Sequence, residues 1–221
     1  MRIFAFVGSN RSGKTAIVQK LTGELKRRGY RVSVIKRHAN GSKQEEQEKD
    51  TSLYLEAGSD SVLMYSPDGT TVFYQKKVGM DVEKISREFL RGSDIILVEG
   101  AVADDKLKKI EVLRKGVSEK LSCSPEELIA VVSDFDTGKD IPSFHPEDTE
   151  KIAGFLENYP LKKEPLIRLD IDGVSVPMNP FVQKIFTGTI TGMVYSLEGI
   201  PENPGCITLS LSRKGKKDEN T

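Results

Sequence analysis

The sequence predicts an α/β fold, with a mainly parallel sheet flanked by helices and a small C-terminal ββαβ unit. Short apolar runs alternate with segments of helical spacing through the first two thirds of the 221 residues. Apolar strands joined by helices are typical of a parallel sheet that is covered on both faces. Hydrophobic residues make up 37% of the chain, which is enough for a globular core.

Each predicted element has a local signal. The predicted strands are apolar or alternating runs bounded by glycine, proline or charged residues, at 3–7, 30–36, 61–65, 70–75, 95–98, 109–114 and 128–133. The predicted helices have apolar residues three or four positions apart, at 16–28, 50–57, 82–90 and 146–157. Residues 40–49 are polar and charged, which favours a surface loop.

A proline-bounded segment divides the chain. After it come an Asp172-Gly173 hairpin, an apolar-faced helix at 180–198 and a last strand at 206–211. Because that apolar face is too large to leave in water, we expect this unit to dock on a protein surface. The predicted organisation is a nucleotide-binding domain at 1–158, a linker at 159–165, the ββαβ unit at 166–212 and a disordered tail at 213–221.

The strongest motif is a phosphate-binding loop. It matches the pattern G-x-x-x-x-G-K-[ST] between a predicted strand and a predicted helix, and consists of Gly8, Ser9, Asn10, Arg11, Ser12, Gly13, Lys14 and Thr15. Backbone N–H groups of such a loop form an anion-binding nest, and the helix N-terminus adds partial positive charge. Lys14 is expected to reach the β and γ phosphates, and the Thr15 hydroxyl to ligate Mg²⁺. The fold is therefore predicted to be P-loop NTPase-like.

Chain direction sorts the acidic candidates, because ligands bind beyond the carboxyl ends of parallel strands. Glu99 follows the strand at 95–98 and is predicted to support Mg²⁺ or a hydrolytic water, whereas Asp94 precedes that strand and lies at the far end. A plain turn carboxylate beside Gly100 is the alternative for Glu99.

Three further residues are candidates by position. Lys36 ends the second strand and either contacts phosphate or is solvated. Asp50 either approaches the metal or caps the next helix. Asp134 follows the strand at 128–133, where a carboxylate accepts hydrogen bonds from guanine N1 and N2 or closes a turn. His38 is interpreted as a polar loop residue.

Composition excludes several classes. The 33 basic and 33 acidic residues balance, which argues against a nucleic-acid-binding surface. No apolar run reaches membrane-spanning length, and the first strand leaves no room for a signal peptide. Cys123 and Cys206 are isolated, which indicates a reducing, cytoplasmic location.

Taken together, the motifs resemble molybdopterin-guanine dinucleotide biosynthesis protein B (MobB) over about residues 1–158. The resemblance rests on the order and spacing of segments 8–15, 29–36, 49–51, 56–58, 94–100, 109–112 with Arg114, and 131–134. The family's histidine-rich stretch keeps one histidine here, in Arg37-His38-Ala39-Asn40. Ala101-Val102 replace the family's phenylalanine and lysine.

The resemblance implies a GTP-binding protein, typically a homodimer, with weak GTPase activity. It implies partnership with the molybdenum cofactor guanylyltransferase or other cofactor-maturation proteins. It marks Lys36, Asp50, Glu99, Lys109 and Arg114 as site residues. Two alternatives stay open: a P-loop small-molecule kinase, which needs an arginine-rich lid, and a nickel-insertion GTPase, which two histidines and two separated cysteines disfavour.

Overall fold

The computed structural model describes residues 1–37, 49–74, 81–100, 103–161, 167–171, 174–201 and 207–211. The chain divides into two units, Met1–Leu161 and Lys162–Thr221. The division falls inside residues 159–165, where the linker is predicted. The predicted tail at 213–221 lies outside the described residues.

A six-stranded sheet forms the centre of the first unit. Its strands are β1 (Arg2–Val7), β2 (Val32–Lys36), β5 (Ile95–Glu99), β6 (Lys108–Val112), β7 (Leu128–Val132) and β8 (Ser143–Phe144). They lie in the order β2-β5-β1-β6-β7-β8, and every neighbouring pair is parallel. The mainly parallel sheet predicted from the apolar runs is therefore confirmed.

The register of the sheet brings the carboxyl ends of its strands to one edge. Glu99 lies opposite Phe6 of β1 and opposite Lys36 of β2. The last residue of β1, Val7, pairs with Glu111 near the end of β6. The residues that follow β1, β2 and β5 therefore share the edge at which parallel sheets bind ligands.

Helices cover both faces of the sheet. They are α1 (Lys14–Arg27), α3 (Val82–Phe89) and α4 (Thr149–Asn158). Phe4 and Phe6 point to the face that packs against α1 and α4, whereas Ala5 and Val7 point to the face that packs against Val82 of α3. This strict alternation along β1 is the period-two pattern of a strand that is buried on both sides.

The boundary between α1 and β2 differs slightly from the prediction. Helix α1 begins at Lys14, two residues early, because Gly13 already serves as its N-cap. The N–H of Tyr30 donates to the carbonyl of Leu25 at 3.1 Å, so Tyr30 closes the helix and β2 starts at Val32. Capping hydrogen bonds of this kind satisfy the last carbonyls of a helix.

A separate hairpin follows α2 (Lys49–Glu56). Its strands, β3 (Ser61–Ser66) and β4 (Gly69–Tyr74), form a two-stranded antiparallel sheet. Leu63 pairs with Val72, and Tyr65 lies two residues further along the same face. Leu63 is 59% exposed and Tyr65 83% exposed, so this apolar face has no cover from the described residues.

Two features near the end of the first unit depart from the prediction. Strand β8 was not predicted, because two residues carry no periodicity. Helix α4 starts at Thr149 and not at residue 146, because a turn precedes it: the N–H groups of Glu147 and Asp148 donate to the ring Nδ1 and the carbonyl of His145.

The second unit contains the hairpin of β9 (Leu169–Ile171) and β10 (Val174–Val176), followed by α5 (Pro180–Tyr195). The Asn179 side chain caps α5 by accepting the N–H of Val182. The predicted last strand is wrong over 207–211, because these residues form no ladder with β9 or β10; Cys206 lies outside the described residues. In the part of the chain that the structure describes, no helix has the length and apolar character needed to cross a membrane.

An ion pair closes the amino-terminal edge of the sheet. Asp94 Oδ2 accepts the backbone N–H of Arg31 at 2.9 Å, and Oδ1 accepts from the guanidinium of Arg31 at 2.8 Å. These hydrogen bonds lower the pKa of Asp94 to about 2. As predicted from chain direction, Asp94 lies at the opposite end of β5 from Glu99, and it joins the starts of β2 and β5.

We expect Asp94→Asn to lower the free energy of unfolding by about 1 kcal/mol at neutral pH, since solvent screens this half-exposed pair. A depressed pKa contributes stability above the unfolded value of 3.8, and that stability is lost as the pH falls towards about 2. The difference between the parent and the variant should therefore close over that range in urea denaturation. A difference that stays constant down to the folded pKa would contradict this assignment.

Candidate functional site

The phosphate loop leaves β1 through a close backbone contact. A Cβ added to Gly8 would lie 2.5 Å from the carbonyl oxygen of Val112, and Gly8 has a φ of +133°. A side chain is therefore excluded at this position on both steric and conformational grounds. Because Val112 ends β6, this contact fixes the start of the loop between the ends of β1 and β6.

The far end of the loop presents free backbone donors. Gly13 has a φ of +99° and forms the N-cap of α1 without a side-chain hydrogen bond. No acidic side chain lies in the first turn of α1. The first N–H groups of the helix therefore lack side-chain acceptors there, which is the condition for anion binding at a helix N-terminus.

Lys14 folds back over the loop. Its Nζ donates to the carbonyl oxygens of Gly8 at 2.9 Å and Ser9 at 2.6 Å. Partial burial lowers the pKa of Lys14, an effect that the charge of Glu99 opposes and that of Lys36 reinforces. The ammonium group thus joins two carbonyls of the loop, and its third N–H donor remains for a ligand.

Glu99 connects the loop to the sheet. Its Oε1 accepts the hydroxyl hydrogen of Thr15 at 2.8 Å and lies 3.7 Å from Nζ of Lys36. The Glu99 side chain is only 12% exposed, whereas that of Lys36 is 51% exposed. Three residues predicted separately from the sequence therefore meet at the carboxyl edge of the sheet.

The Thr15–Glu99 pair fits Mg²⁺. The Thr15 hydroxyl donates its hydrogen to Glu99, which leaves the oxygen lone pairs for a cation. No group of three or more His, Cys, Asp or Glu residues among the described part of the chain is arranged to hold a metal. The oxygens of Thr15 and Glu99 are ligands of the kind that Mg²⁺ takes, since it is usually held by one or two protein oxygens together with substrate phosphates and water.

Asp50 lies near the start of α2. Its side chain is outside the described part of the structure, so its predicted contact with the metal stays a prediction. His38 also lies outside the described residues.

Arg114 and Asp134 each lie two residues beyond a strand end, Arg114 after β6 and Asp134 after β7. Arg114 is exposed and forms a β-bridge with Ser118 in a tight turn. Asp134 Oδ1 accepts the backbone N–H of Lys115 at 2.8 Å. Asp134 therefore holds the turn beside Arg114, and its second carboxylate oxygen remains for a ligand.

The structure does not bring Lys109 to the phosphate loop. Lys109 is 1% exposed, and its Nζ lies 3.2 Å from Glu127 and 3.8 Å from Asp105. It pairs with Ala5 in the register of the sheet, so it points to the face covered by α3. The hydrogen bond from Lys109 lowers the pKa of Glu127. We therefore correct the expectation of a direct role in ligand binding to a structural one.

Glu111 is a second buried charge that sequence reasoning missed. Its carboxylate accepts the backbone N–H groups of Ser122 and Cys123 and the Ser122 hydroxyl hydrogen. Burial and the charge of Glu111 raise the pKa of the Cys123 thiol. The charged residues that alternate in the apolar strand β6 were the available signal for this network.

Sequence reasoning also missed a groove beside Lys36, of about 650 Å³. It lies at the end of β2, next to α3. Its lining residues are Ile35, Lys36, Arg37, Asp81, Val82, Ile85, Ala103, Asp104, Asp105 and Lys106. These come from three separate segments, and only Lys36 was a candidate from the sequence.

Comparison with known proteins gives consistent matches. The molybdopterin-guanine dinucleotide biosynthesis adapter protein of Haemophilus influenzae is 27% identical over 158 residues, which cover 71% of this chain and 88% of the relative. A protein from Methanocaldococcus jannaschii that is named as a putative adapter of the same kind is 23% identical over 240 aligned residues. The match covers 96% of this chain and 97% of that protein.

A solved structure agrees with these relatives. The crystal structure of a molybdopterin-guanine biosynthesis protein B has a TM-score of 0.55 to this chain at 27% identity, and the match covers 70% of this chain and 97% of that protein. The family model for molybdopterin guanine dinucleotide synthesis protein B matches residues 3–134, which is more than half of the chain. The chain therefore belongs to the molybdopterin guanine dinucleotide synthesis protein B family.

Proposed function

We propose that this chain is a GTP-binding adapter in the synthesis of the guanylated molybdenum cofactor, with a weak Mg²⁺-dependent GTPase activity. The observation that carries the proposal is the junction of Lys14, Thr15 and Glu99 at the carboxyl edge of the sheet. The family supplies the biosynthetic context, because its members' names give the adapter role. The guanylyltransferase or another cofactor-maturation protein is the proposed partner.

The loop is suited to a triphosphate. The uncapped N-terminus of α1 offers backbone N–H groups, and Lys14 exchanges its loop carbonyls for phosphate oxygens. The Ser12 hydroxyl is buried and has no hydrogen-bond partner in the structure. An unsatisfied buried hydroxyl is costly, and a phosphate oxygen would supply its missing acceptor.

Hydrolysis requires a group that orients the attacking water. The bound metal would neutralise charge on the phosphate oxygens, with Thr15 as its direct ligand. Glu99 holds the Thr15 hydroxyl in place and has a second oxygen to accept a hydrogen from water. Among the described residues, Glu99 is the one carboxylate that we assign to orienting the attacking water. We therefore propose that GTP turnover is slow.

Guanine preference is proposed from Asp134. Guanine offers two donors, N1 and N2, to a carboxylate, whereas adenine offers no such pair. The structure places Asp134 after β7, with one oxygen occupied by the N–H of Lys115. The second oxygen is therefore open to one guanine donor, and Oδ1 keeps a second lone pair for the other.

We also propose a homodimer, which the β3–β4 hairpin supports. A two-stranded hairpin is only marginally stable alone in water. Leu63, Tyr65 and Val72 form an exposed apolar face on it. A second copy that pairs with this face would bury it symmetrically, as is usual for homo-oligomers.

The nucleotide proposal predicts that the parent binds GTP more tightly than ATP, and that Lys14→Ala weakens binding of both about tenfold or more. Titration calorimetry in Mg²⁺ measures these affinities. Lys20→Ala is the matched control, because Lys20 lies on the same helix and pairs with Glu147. Equal affinities for GTP and ATP would contradict guanine preference, and unchanged binding in Lys14→Ala would contradict the loop assignment.

For hydrolysis, we expect Glu99→Gln to slow GTP turnover about tenfold or more while triphosphate binding is largely retained. Glutamine still accepts the Thr15 hydroxyl hydrogen but carries no charge. Asp94→Asn, at the other end of β5, should leave turnover unchanged. Steady-state phosphate release tests both, and a decrease in Asp94→Asn without one in Glu99→Gln would reverse the assignment.

For the homodimer, light scattering of the parent should give twice the chain mass of 24.5 kDa. Leu63→Glu should shift the equilibrium to the monomer, because it places a charge in the proposed apolar contact. Leu53→Glu is the control, since Leu53 is equally exposed but lies on α2. A parent that is monomeric at micromolar concentration, or a Leu63→Glu variant that remains dimeric, would refute the role of the hairpin.

A further inference from the structure

Helix α5 of the second unit presents an exposed apolar stripe. None of its residues is buried. Phe181 is 72% exposed, and Ile185 and Tyr195 are each 49% exposed. Together with Gly188 and Gly192, these residues recur at alternating intervals of four and three, which is the spacing of a helix face that pairs with another helix. We call these five residues the α5 stripe.

The opposite side of α5 is in a different environment. Gln183, Thr187, Ile190 and Val194 follow the same spacing and are only partly exposed. One side of α5 therefore already packs within the chain. The α5 stripe is a separate apolar surface, which the described residues leave uncovered.

The two glycines of the stripe are not required by the chain itself. Both are helical, and a Cβ added to Gly188 or Gly192 would meet no atom of the described residues within 4 Å. Glycine in a helix interior is unfavourable relative to alanine, so it needs another reason to be there. Two glycines four residues apart on an exposed face allow a second backbone to approach α5 closely.

The α5 stripe is complementary to itself in the antiparallel direction. Ile185 and Gly188 lie symmetrically about the point between residues 186 and 187, and so do Phe181 and Gly192. A second α5 of opposite direction places Phe181 opposite Gly192 of the partner subunit and Ile185 opposite Gly188 of the partner subunit. Each of these large side chains then faces a glycine. A parallel pair would instead set glycine against glycine and leave a gap beside Phe181.

Charge also favours a second copy as the occupant. Lys184 is the one charged residue of α5, so an oppositely charged partner would gain little on this face. In the antiparallel pair, Lys184 of the partner subunit is level with Thr189, so like charges do not face each other directly. Such an isologous contact is the usual kind in homodimers.

The area of the stripe indicates how the contact forms. Because an aromatic side chain has about 150–250 Å² of surface, the exposed stripe amounts to on the order of 400 Å² on each copy. An interface of standard size buries about 800 Å² per partner. Two α5 helices alone are therefore a weak contact, but copies that are already joined elsewhere meet at an effective concentration of about millimolar.

We propose that α5 forms an antiparallel pair with α5 of a second copy of this chain. Phe181 and Ile185 pack on Gly192 and Gly188 of the partner subunit, and the reciprocal contacts complete the pair. The second copy is the one in the homodimer proposed above, so the inference rests on that proposal. The pair gives the second unit the apolar cover that the described residues do not supply.

Disulfide trapping in the full-length chain tests the direction of the pair. Phe181→Cys and Gly192→Cys chains that carry different tags and Cys206→Ser are mixed, left to exchange subunits and oxidised in air. We expect a mixed disulfide on non-reducing gels and none in either chain alone. In an antiparallel pair, equivalent positions at 181 or 192 lie about 16 Å apart along the axis, whereas a disulfide requires Cα atoms within about 7 Å.

The control mixture replaces Gly192→Cys by Met193→Cys. Met193 is exposed and adjacent in sequence but lies outside the stripe, so its mixed disulfide should form about tenfold or more slowly. Disulfides within Phe181→Cys alone or Gly192→Cys alone would overturn the antiparallel pair. A mixed disulfide that forms no faster than in the control mixture would overturn the contact itself.

Added bulk tests the packing on glycine. Gly188→Leu in both chains removes the space for Ile185 and should slow the mixed disulfide about tenfold, although leucine favours a helix more than glycine does. Met193→Phe adds bulk outside the stripe and should leave the rate unchanged. An unchanged rate in Gly188→Leu would contradict the proposed packing.

The Leu63→Glu background separates this inference from the homodimer proposal. There the mixed disulfide should form about tenfold or more slowly, because the copies meet only at bulk concentration. A parent that is dimeric by light scattering but whose cysteine variants form no mixed disulfide would refute the helix pair and leave the homodimer standing. A mixed disulfide that forms at an undiminished rate in Leu63→Glu would refute the role of the hairpin and leave the helix pair standing.

Discussion

The geometry of the site depends on the close approach of Gly8 to the carbonyl of Val112. At a distance of 2.5 Å from that oxygen, no Cβ fits, so the backbone of the loop can lie directly on the end of β6. The loop then turns through Gly13 into α1, and the first turn of α1 brings Thr15 to Glu99. The contact of Gly8 with Val112 thus fixes the loop against β1 and β6, and the hydrogen bond of Thr15 to Glu99 joins it to β5.

The charge at this edge is arranged around one mostly buried carboxylate. A buried carboxylate is costly unless it is paired and hydrogen-bonded. Glu99 accepts from Thr15 and has the charges of Lys14 and Lys36 nearby. Lys14, Lys36 and Glu99 together carry one net positive charge, which suits the proposed binding of a polyphosphate. Glu99 stabilises the loop through Thr15 in the absence of ligand.

Sequence reasoning succeeded where chain direction or a contiguous motif was sufficient. The loop, the parallel sheet and the separation of Glu99 from Asp94 all follow from strand order and strand ends. It failed for Lys109, because the face of a strand residue depends on register, and its partner Glu127 comes from a short 3₁₀ helix later in the chain. The groove was hidden for a related reason, since its walls are distant in sequence.

Strands β2 and β5 carry one ion pair at each end, and the hydrogen bonding of the two pairs differs. Arg31 and Asp94 form a bidentate pair with distances near 3 Å, and a backbone N–H completes it. Lys36 and Glu99 lie 3.7 Å apart and share no hydrogen bond. A saturated pair would have to be broken before a ligand could bind, at a cost in affinity. The loose pair does not carry that cost, so the incomplete pairing at the carboxyl edge supports the proposal that Lys36 binds an anion.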